Sequence, residues 1–290
     1  MSTPTSTVVI TGTSSGFGRL AVKRFALAGW NVVATVRKES DLAVHDNIPN
    51  VKTLLLNVDD EQADLAFGEL AKSQFGRVDA LINNAGYYQS GPLEATTMEQ
   101  VHRQFQTNVF GLIALNKAFI PIFRKQRSGV IVNVSSISAD GGFPYTSNYQ
   151  ASKAAVAALT EGLHQELAEF GVQAKALHPG NHMTKIFSKV DVAEDVPADY
   201  QSSIDHFMTL NNVRSDPAGT AEVMFGMVTD GDTRKVHYYS GPDGQAIPRV
   251  RQLLGQDWYL EELSRRNRGE ASALWTAVMP APTSGGQGPR

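Results

Sequence analysis

Thr11-Gly12-Thr13-Ser14-Ser15-Gly16-Phe17-Gly18 stands between an apolar run, residues 8–11, and an amphipathic segment, and that position carries more information than the letters. Glycines let the chain turn tightly and bring backbone N–H groups close to a ligand, while the helix N-terminus that follows adds about half a positive charge. A pyrophosphate fits such a site. The whole stretch, Gly12, Thr13, Ser14, Ser15, Gly16, Phe17 and Gly18, is the expected phosphate cradle. A second β-branched run at 31–36 completes the strand-loop-helix-strand unit that dinucleotide binding requires.

Outward from this unit the rhythm repeats. Strand-like runs fall at 51–56, 80–82, 130–134, 172–177 and 236–239, making seven in all, with helix-length segments between them. Helical periodicity predicts 17–28, 60–75 and 149–170, each stopping at a glycine: Gly29, Gly76 and Gly171. The expected fold class is α/β: a doubly wound, Rossmann-type parallel sheet of about seven strands, helices on both faces, in a single domain over 1–279. Residues 181–215 break the rhythm and read as a substrate lid. A helical segment over 248–268 opens on Pro248, and the Gly-, Pro- and Ser-rich stretch 280–290 reads as a disordered tail.

Composition excludes several classes of function. With 26 basic and 29 acidic residues interspersed, the net charge is −3, and no basic stripe is present for a nucleic-acid backbone. There is no cysteine, hence no disulfide, thiol nucleophile or thiolate metal site. No apolar run approaches the roughly 18–20 residues that span a bilayer, and the polar start of the chain does not read as a secretory signal, so no membrane partner and a cytoplasmic location are expected. His178 and His182 are four apart, but Pro179 and Gly180 between them argue against a helical metal pair, and no metal is expected.

Beyond the second strand, where an acid usually binds the ribose 2′-OH of NAD, the chain reads Val36-Arg37-Lys38. A guanidinium holds a 2′-phosphate that a carboxylate would repel, so NADP(H) is expected over NAD(H), with Arg37 and Lys38 as its contacts.

At this point the ordered motifs resemble the short-chain dehydrogenase/reductase family, in its non-extended form with Thr-Gly-x-x-x-Gly-x-Gly and Tyr-x-x-x-Lys, over roughly residues 7–240. The resemblance implies further site residues. Asn84, Ala85 and Gly86 match the turn after the fourth strand, near the adenosine. Asn108 matches the helix residue of a proton relay and would hold water against Lys153. Ser136, Tyr149 and Lys153 match the catalytic set, and Pro179, Gly180 and Thr184 match the segment at the nicotinamide. Asn57 and Val58 fall at the adenine, where many relatives have an acid before a small apolar residue. A homodimer or homotetramer is implied by the same likeness.

The chemistry follows from the residue types. Reducing a carbonyl takes a hydride at carbon, which the cofactor carries, and a proton at oxygen, which the protein supplies. Tyr149 and Lys153, four apart, share one helix face. An ammonium about 4 Å away contributes roughly 4 kcal/mol at an effective dielectric near 20, sufficient to lower a phenol's pKa by 2–3 units. Ser136 could hold the substrate oxygen by a hydrogen bond. The expected activity is therefore an NADP(H)-dependent interconversion of a carbonyl, ketone or aldehyde, and an alcohol on a hydrophobic small molecule, with Tyr149 as general acid and base. A non-catalytic dinucleotide sensor or scaffold, or an epimerase or dehydratase, is the alternative. Tyr87, Tyr88, Phe143, Tyr145, Met183, Ile186 and Phe187 flank these motifs and could line the pocket.

Overall fold

The computed structural model describes residues 5–184, 186, 190–210, 215–270, 272, 273 and 275. Nine strands form among them: β1 (Thr7–Ile10), β2 (Asn31–Val36), β3 (Val51–Leu55), β4 (Ala80–Asn83), β5 (Gln89–Ser90), β6 (Gly129–Val134), β7 (Val172–Pro179), β8 (Asp191–Val192) and β9 (His237–Ser240). Seven join in one parallel sheet of order β3-β2-β1-β4-β6-β7-β9, while β5 and β8 form a separate two-stranded ladder. The order reverses between β1 and β4, and in such sheets ligands bind outside the carboxyl ends of the strands at the reversal.

The helices are α1 (Gly16–Leu27), α2 (Glu61–Ser73), α3 (Met98–Phe105), α4 (Gly111–Gln126), α5 (Ser138–Gly141), α6 (Ser147–Leu167), α7 (Gln201–Leu210), α8 (Ala218–Thr229), α9 (Pro242–Leu254) and α10 (Gln256–Asn267). Because side chains alternate along a strand, each central strand feeds two cores. Val9, Val33, Leu81 and Ile131 pack toward Phe67 of α2, Phe119 of α4 and Leu163 of α6. Val8, Ile10, Ile82 and Val132 pack toward Phe25 of α1 and Met224 of α8. Both faces are buried, so the strands read as continuous apolar runs.

One polar network crosses the first core. The amide of Asn83 donates to Asn116 and Asn133 at 2.9 Å each, and Asn133 donates to Thr160 at 3.0 Å. It joins the carboxyl half of β4 to α4, β6 and α6.

Most boundaries shift by one to three residues from the sequence reading, α6 for example covering Ser147–Leu167 rather than 149–170, and two differences bear on the site. Strand β7 runs on to Pro179, because the Ile137 N–H donates to the Pro179 carbonyl on one side and Ser240 of β9 pairs with it on the other. The C-terminal helical segment is two helices: Gly255, at φ +84°, breaks it, Pro242 takes the first turn of α9, and Pro248 lies inside that helix rather than at its start. Among the described residues no helix is long and apolar enough to cross a membrane. The stretch 280–290, read as a tail, and residues 185, 187–189 and 211–214 of the expected lid lie outside the described residues.

Candidate active site

The glycine loop joins the end of β1 to α1, and its glycines are dictated by space. Gly12, at φ +68°, has its missing Cβ position 2.9 Å from the Ala85 Cα, and a Cβ on Gly18 would lie 2.5 Å from the Gly12 carbonyl and 2.6 Å from the Asn84 amide. Thr11 clamps the two loops together, its hydroxyl accepting from the N–H groups of Asn84 and Ala85 at 3.0 and 2.9 Å. Asn84 returns two bonds, its side-chain amide donating to the carbonyls of Thr11 and Gly12 at 2.8 and 3.2 Å. Its side chain therefore shapes the cradle.

Ser15 occupies the cap position of α1 without a side-chain cap, so the first-turn N–H groups from Ser15 to Gly18 point outward from the helix end. Thr13 faces the other way. Its N–H and hydroxyl both donate to the Thr35 carbonyl, at 2.9 and 3.0 Å, and its own carbonyl meets His45 Nε2 at 3.2 Å. Its donors are thus committed to β2, and it braces the cradle from behind. Arg37 and Lys38, just past β2, are exposed, and Asn57 is exposed beside the buried Val58 beyond β3.

The catalytic candidates gather at the carboxyl ends of β4 and β6. Ser136, two residues past β6, is 8% exposed, and its Oγ is hydrogen-bonded to the Tyr149 hydroxyl and accepts from the Ser138 N–H at 3.0 Å. Tyr149 and Lys153 share the buried face of α6, with the ammonium 5.8 Å from the phenol ring centroid. Lys153 Nζ donates to the Val134 carbonyl at 2.9 Å, and its own carbonyl accepts from Ser135 at 2.8 Å.

Asn108 lies in a π-helical turn, Gln106–Phe110, between α3 and α4. Such bulges recur at functional sites. Its side chain accepts from the Tyr87 N–H at 3.1 Å and donates to the Tyr87 carbonyl at 3.2 Å and the Ser152 hydroxyl at 3.1 Å. Gly86 fits between the pair: a Cβ there would lie 3.0 Å from Asn108 Oδ1 and 3.5 Å from Lys153 Nζ. The bulge thus brings Asn108 beside Lys153, with its polar atoms engaged by protein.

The electrostatics reverse one sequence expectation. Burial pushes the Tyr149 phenol up to about 12, against a smaller lowering by the Ser136 hydrogen bond, and burial pulls Lys153 down to about 8. Desolvation leads for both groups because both are buried, and the ammonium's hydrogen bond goes to the Val134 carbonyl. The pair rests as neutral phenol and, below about pH 8, ammonium.

Two features were not legible in the sequence. Tyr88 packs edge-on to Tyr149, ring centroids 4.9 Å apart. The segment 181–215 leaves β7 and returns to its own start: Ser215 N–H donates to the Asn181 carbonyl at 2.9 Å, and Met183 N–H to the Ser215 carbonyl at 2.9 Å. Along the way β8 pairs with β5, Gln100 donates to Asp191 at 2.9 Å, and Phe207 of α7 packs on Tyr145 at 5.7 Å. Where the excursion begins, Gly180 donates to the Ser240 carbonyl at 2.8 Å and Thr184 lies 3.7 Å from the Cβ position of Gly16. Thr184 is therefore brought against the cradle, and His182 packs edge-on to Phe17 at 5.2 Å, while Pro179 and Gly180 pack toward Ile137, Ser240 and Asp243.

These features belong to a dinucleotide-binding α/β oxidoreductase. The family model of the short chain dehydrogenases matches residues 6–195, and the chain belongs to that family. An uncharacterized oxidoreductase of Bacillus subtilis, YusZ, is 35% identical over 254 residues, 82% of this chain and 89% of that protein. Among solved structures, a short-chain dehydrogenase from Streptomyces avermitilis superposes with a TM-score of 0.80 at 29% identity, covering 93% of this chain and all of that one. ElxO with NADP bound gives 0.69 at 25% identity over 80% of this chain and 95% of that one. A Burkholderia phymatum short-chain dehydrogenase/reductase in complex with NAD gives 0.74 at 25% identity, over 87% and 96%. Nicotinamide dinucleotides are the family's cofactors, and the cradle described above, closed to any Cβ at Gly18 and lined by helix N–H groups, fits a pyrophosphate.

The crowding at Gly18 generates a prediction. Gly18→Ala places a methyl against the Gly12 carbonyl and is expected to weaken dinucleotide binding about tenfold or more, read by calorimetric titration with NADPH. Gly219→Ala, on α8 with open space at its Cβ, is the control and leaves affinity unchanged.

Proposed function

We propose that this chain is an NADP(H)-dependent oxidoreductase that interconverts a ketone or aldehyde and an alcohol, with Tyr149 as general acid and base. One observation carries the reading: a buried phenol, hydrogen-bonded to Ser136, is one helical turn from a buried ammonium that lies against Gly86, in the turn that packs on the glycine loop. Gly12 to Gly18 would hold the pyrophosphate of a dinucleotide, and Pro179, Gly180 and Thr184 its nicotinamide end; the group would supply the hydride.

The chain's own residues do the rest. Ser136 Oγ donates to the substrate oxygen and holds it next to the Tyr149 hydroxyl. Tyr149 gives its proton to that oxygen as negative charge develops there, and in the alcohol direction takes it back. A phenol at about 12 is fully protonated near neutrality, the form that carbonyl reduction needs. Lys153 stabilises the phenolate left behind. Asn108 is a positioning residue: by gripping both backbone groups of Tyr87 it fixes Gly86 against Lys153.

The preference for NADP(H) rests on Arg37 and Lys38, basic and exposed where the strand β2 ends and without an acid at either position. The segment 181–215 acts as a lid over the substrate, supported by the pinning of its two ends and by the contact of Phe207 with Tyr145, four residues before Tyr149. Tyr88, edge-on to Tyr149, lines the substrate side and favours an apolar substrate.

Tyr149→Phe keeps the ring and loses the proton donor. Turnover, followed as loss of NADPH absorbance over a carbonyl panel, is expected to fall about 10³-fold while NADPH affinity changes less than about twofold. Normal turnover in the variant overturns the role of Tyr149, and tight NADPH binding with no loss of absorbance in the parent points to a binder, epimerase or dehydratase instead.

The pH profile has a definite sign. The useful form of Lys153 is protonated and lies below its value of about 8, whereas Tyr149, at about 12, stays a donor throughout. The kcat/KM for reduction should be level from about pH 6 to 7, fall to about half near pH 8 and decline further above. A profile that rises with pH contradicts the assignment.

Arg37→Glu replaces an attraction for the 2′-phosphate by a repulsion and is expected to weaken NADPH binding by about 10- to 100-fold, with NADH gaining relative to it. Equal dissociation constants for NADPH and NADH in the parent protein would remove Arg37 from the site.

A further inference from the structure

The charged stretch that follows β2 is not basic on balance. Arg37 and Lys38 are followed closely by Glu39 and Asp41, so their charges cancel. Whatever attraction this stretch has for a cofactor phosphate must come from which side chains are held toward the cradle, because charge–charge energies fall with distance and are screened beyond about 10 Å. Position, not net charge, decides the sign.

That position is set through one residue of the glycine loop. Thr13 donates from its N–H and its hydroxyl to the Thr35 carbonyl, at 2.9 and 3.0 Å, which tethers the end of β2 just ahead of Arg37. The chain then turns at Lys38, whose carbonyl accepts from the Asp41 N–H at 3.0 Å, and runs through a 3-10 helix, Glu39–His45. At the end of that helix His45 Nε2 returns to Thr13, 3.2 Å from its carbonyl oxygen. The segment 36–44 is therefore a loop closed at both ends on Thr13. Arg37, Lys38, Glu39 and Ser40 are exposed along it, whereas His45 is 1% exposed.

The closing bond has a defined direction. A carbonyl only accepts, so His45 donates from Nε2. Burial holds the His45 pKa below the ordinary imidazole value; Arg19 and Lys23 on α1 act in the same direction, against the Thr13 hydrogen bond and Asp46. Its Nδ1 is buried without a hydrogen-bond partner among the described residues, which suits a neutral ring with its one proton on Nε2 better than an imidazolium. Among the described residues no backbone N–H donates to the Thr13 carbonyl, so this contact has no substitute.

We infer that His45 is a positioning residue for cofactor choice: by closing the 36–44 loop on Thr13 it keeps Arg37 and Lys38, rather than Glu39 and Asp41, toward a ribose 2′-phosphate, and so favours NADP(H) over NAD(H). The inference rests on the proposed contact of Arg37 with that phosphate. Without the His45 bond the Thr35 tether remains, and Thr11 and Asn84 still shape the cradle. The loop alone is freed, with cations and acids together, so the loss falls on the 2′-phosphate and spares the pyrophosphate.

Calorimetric titration of the full chain with NADPH and with NADH tests it, because a brace that served only the cradle would affect both alike. His45→Leu, close in volume but without a donor, is expected to weaken NADPH about fivefold, the worth of one hydrogen bond, and NADH less than about twofold. His45→Asn, whose amide falls short of the Thr13 carbonyl, should give the same loss and stands in if the leucine variant does not fold. His45→Gln carries an amide N–H about where the imidazole Nε2–H stood and should restore the parent ratio of the two affinities. In a chain already carrying Arg37→Ala and Lys38→Ala, His45→Leu should cost NADPH no more than it costs NADH.

Equal losses for the two dinucleotides in His45→Leu, or no loss for either, overturn the inference, as does a selective loss that persists without Arg37 and Lys38. A parent that binds NADPH and NADH equally defeats the proposed preference for NADP(H), and the role of His45 with it. A parent preference that survives His45→Leu unchanged defeats the role of His45 alone.

Discussion

A lysine ammonium buried at the end of β6 sets the terms for everything around it. Lys153 has the Val134 carbonyl as its acceptor, available because Val134 ends its strand and its oxygen points past the ladder. A buried charge is tolerated only where such dipoles replace water. In a parallel sheet the strand ends lie along one edge, so the carbonyl that holds Lys153, the serine that follows it and the glycine turn after β1 all open onto the same crevice. The polar network through Asn83, Asn133 and Thr160 then fixes α6 against that edge.

The same burial explains the division of acid strength in the site. Desolvation disfavours the charged form of each group, moving the phenol up and the ammonium down. The Tyr149 proton is firmly held until negative charge appears on an oxygen beside it, and the lysine's charge is kept at the margin of neutrality.

Around this centre, several side chains hold backbone rather than ligand. Asn84 and Thr11 shape the glycine cradle, Asn108 grips Tyr87, and Thr13 ties the cradle to β2. Tyr145 adopts φ +61°, a left-handed conformation costly for a side chain of its size, and its carbonyl is held there by the Gly91 N–H at 2.8 Å and the Ser90 hydroxyl at 3.2 Å. Its ring meets both Tyr200 and Phe207, so the strained residue couples the loop before Tyr149 to the excursion 181–215.

The sequence alone determined the parallel sheet and the order of its motifs, because strand alternation, glycine stops and the spacing of Tyr149 from Lys153 are local: each depends on a few neighbouring residues and the geometry of one helix or strand. Only the tertiary structure decided that Thr13 braces the loop, that Asn84 builds it, that β5 and β8 pair, and that His178 meets Ser136 on one side and His237 on the other. It also decided the direction of the Tyr149 and Lys153 shifts. Each of these depends on distance and burial between residues tens of positions apart, and no local pattern encodes how much water a folded chain excludes.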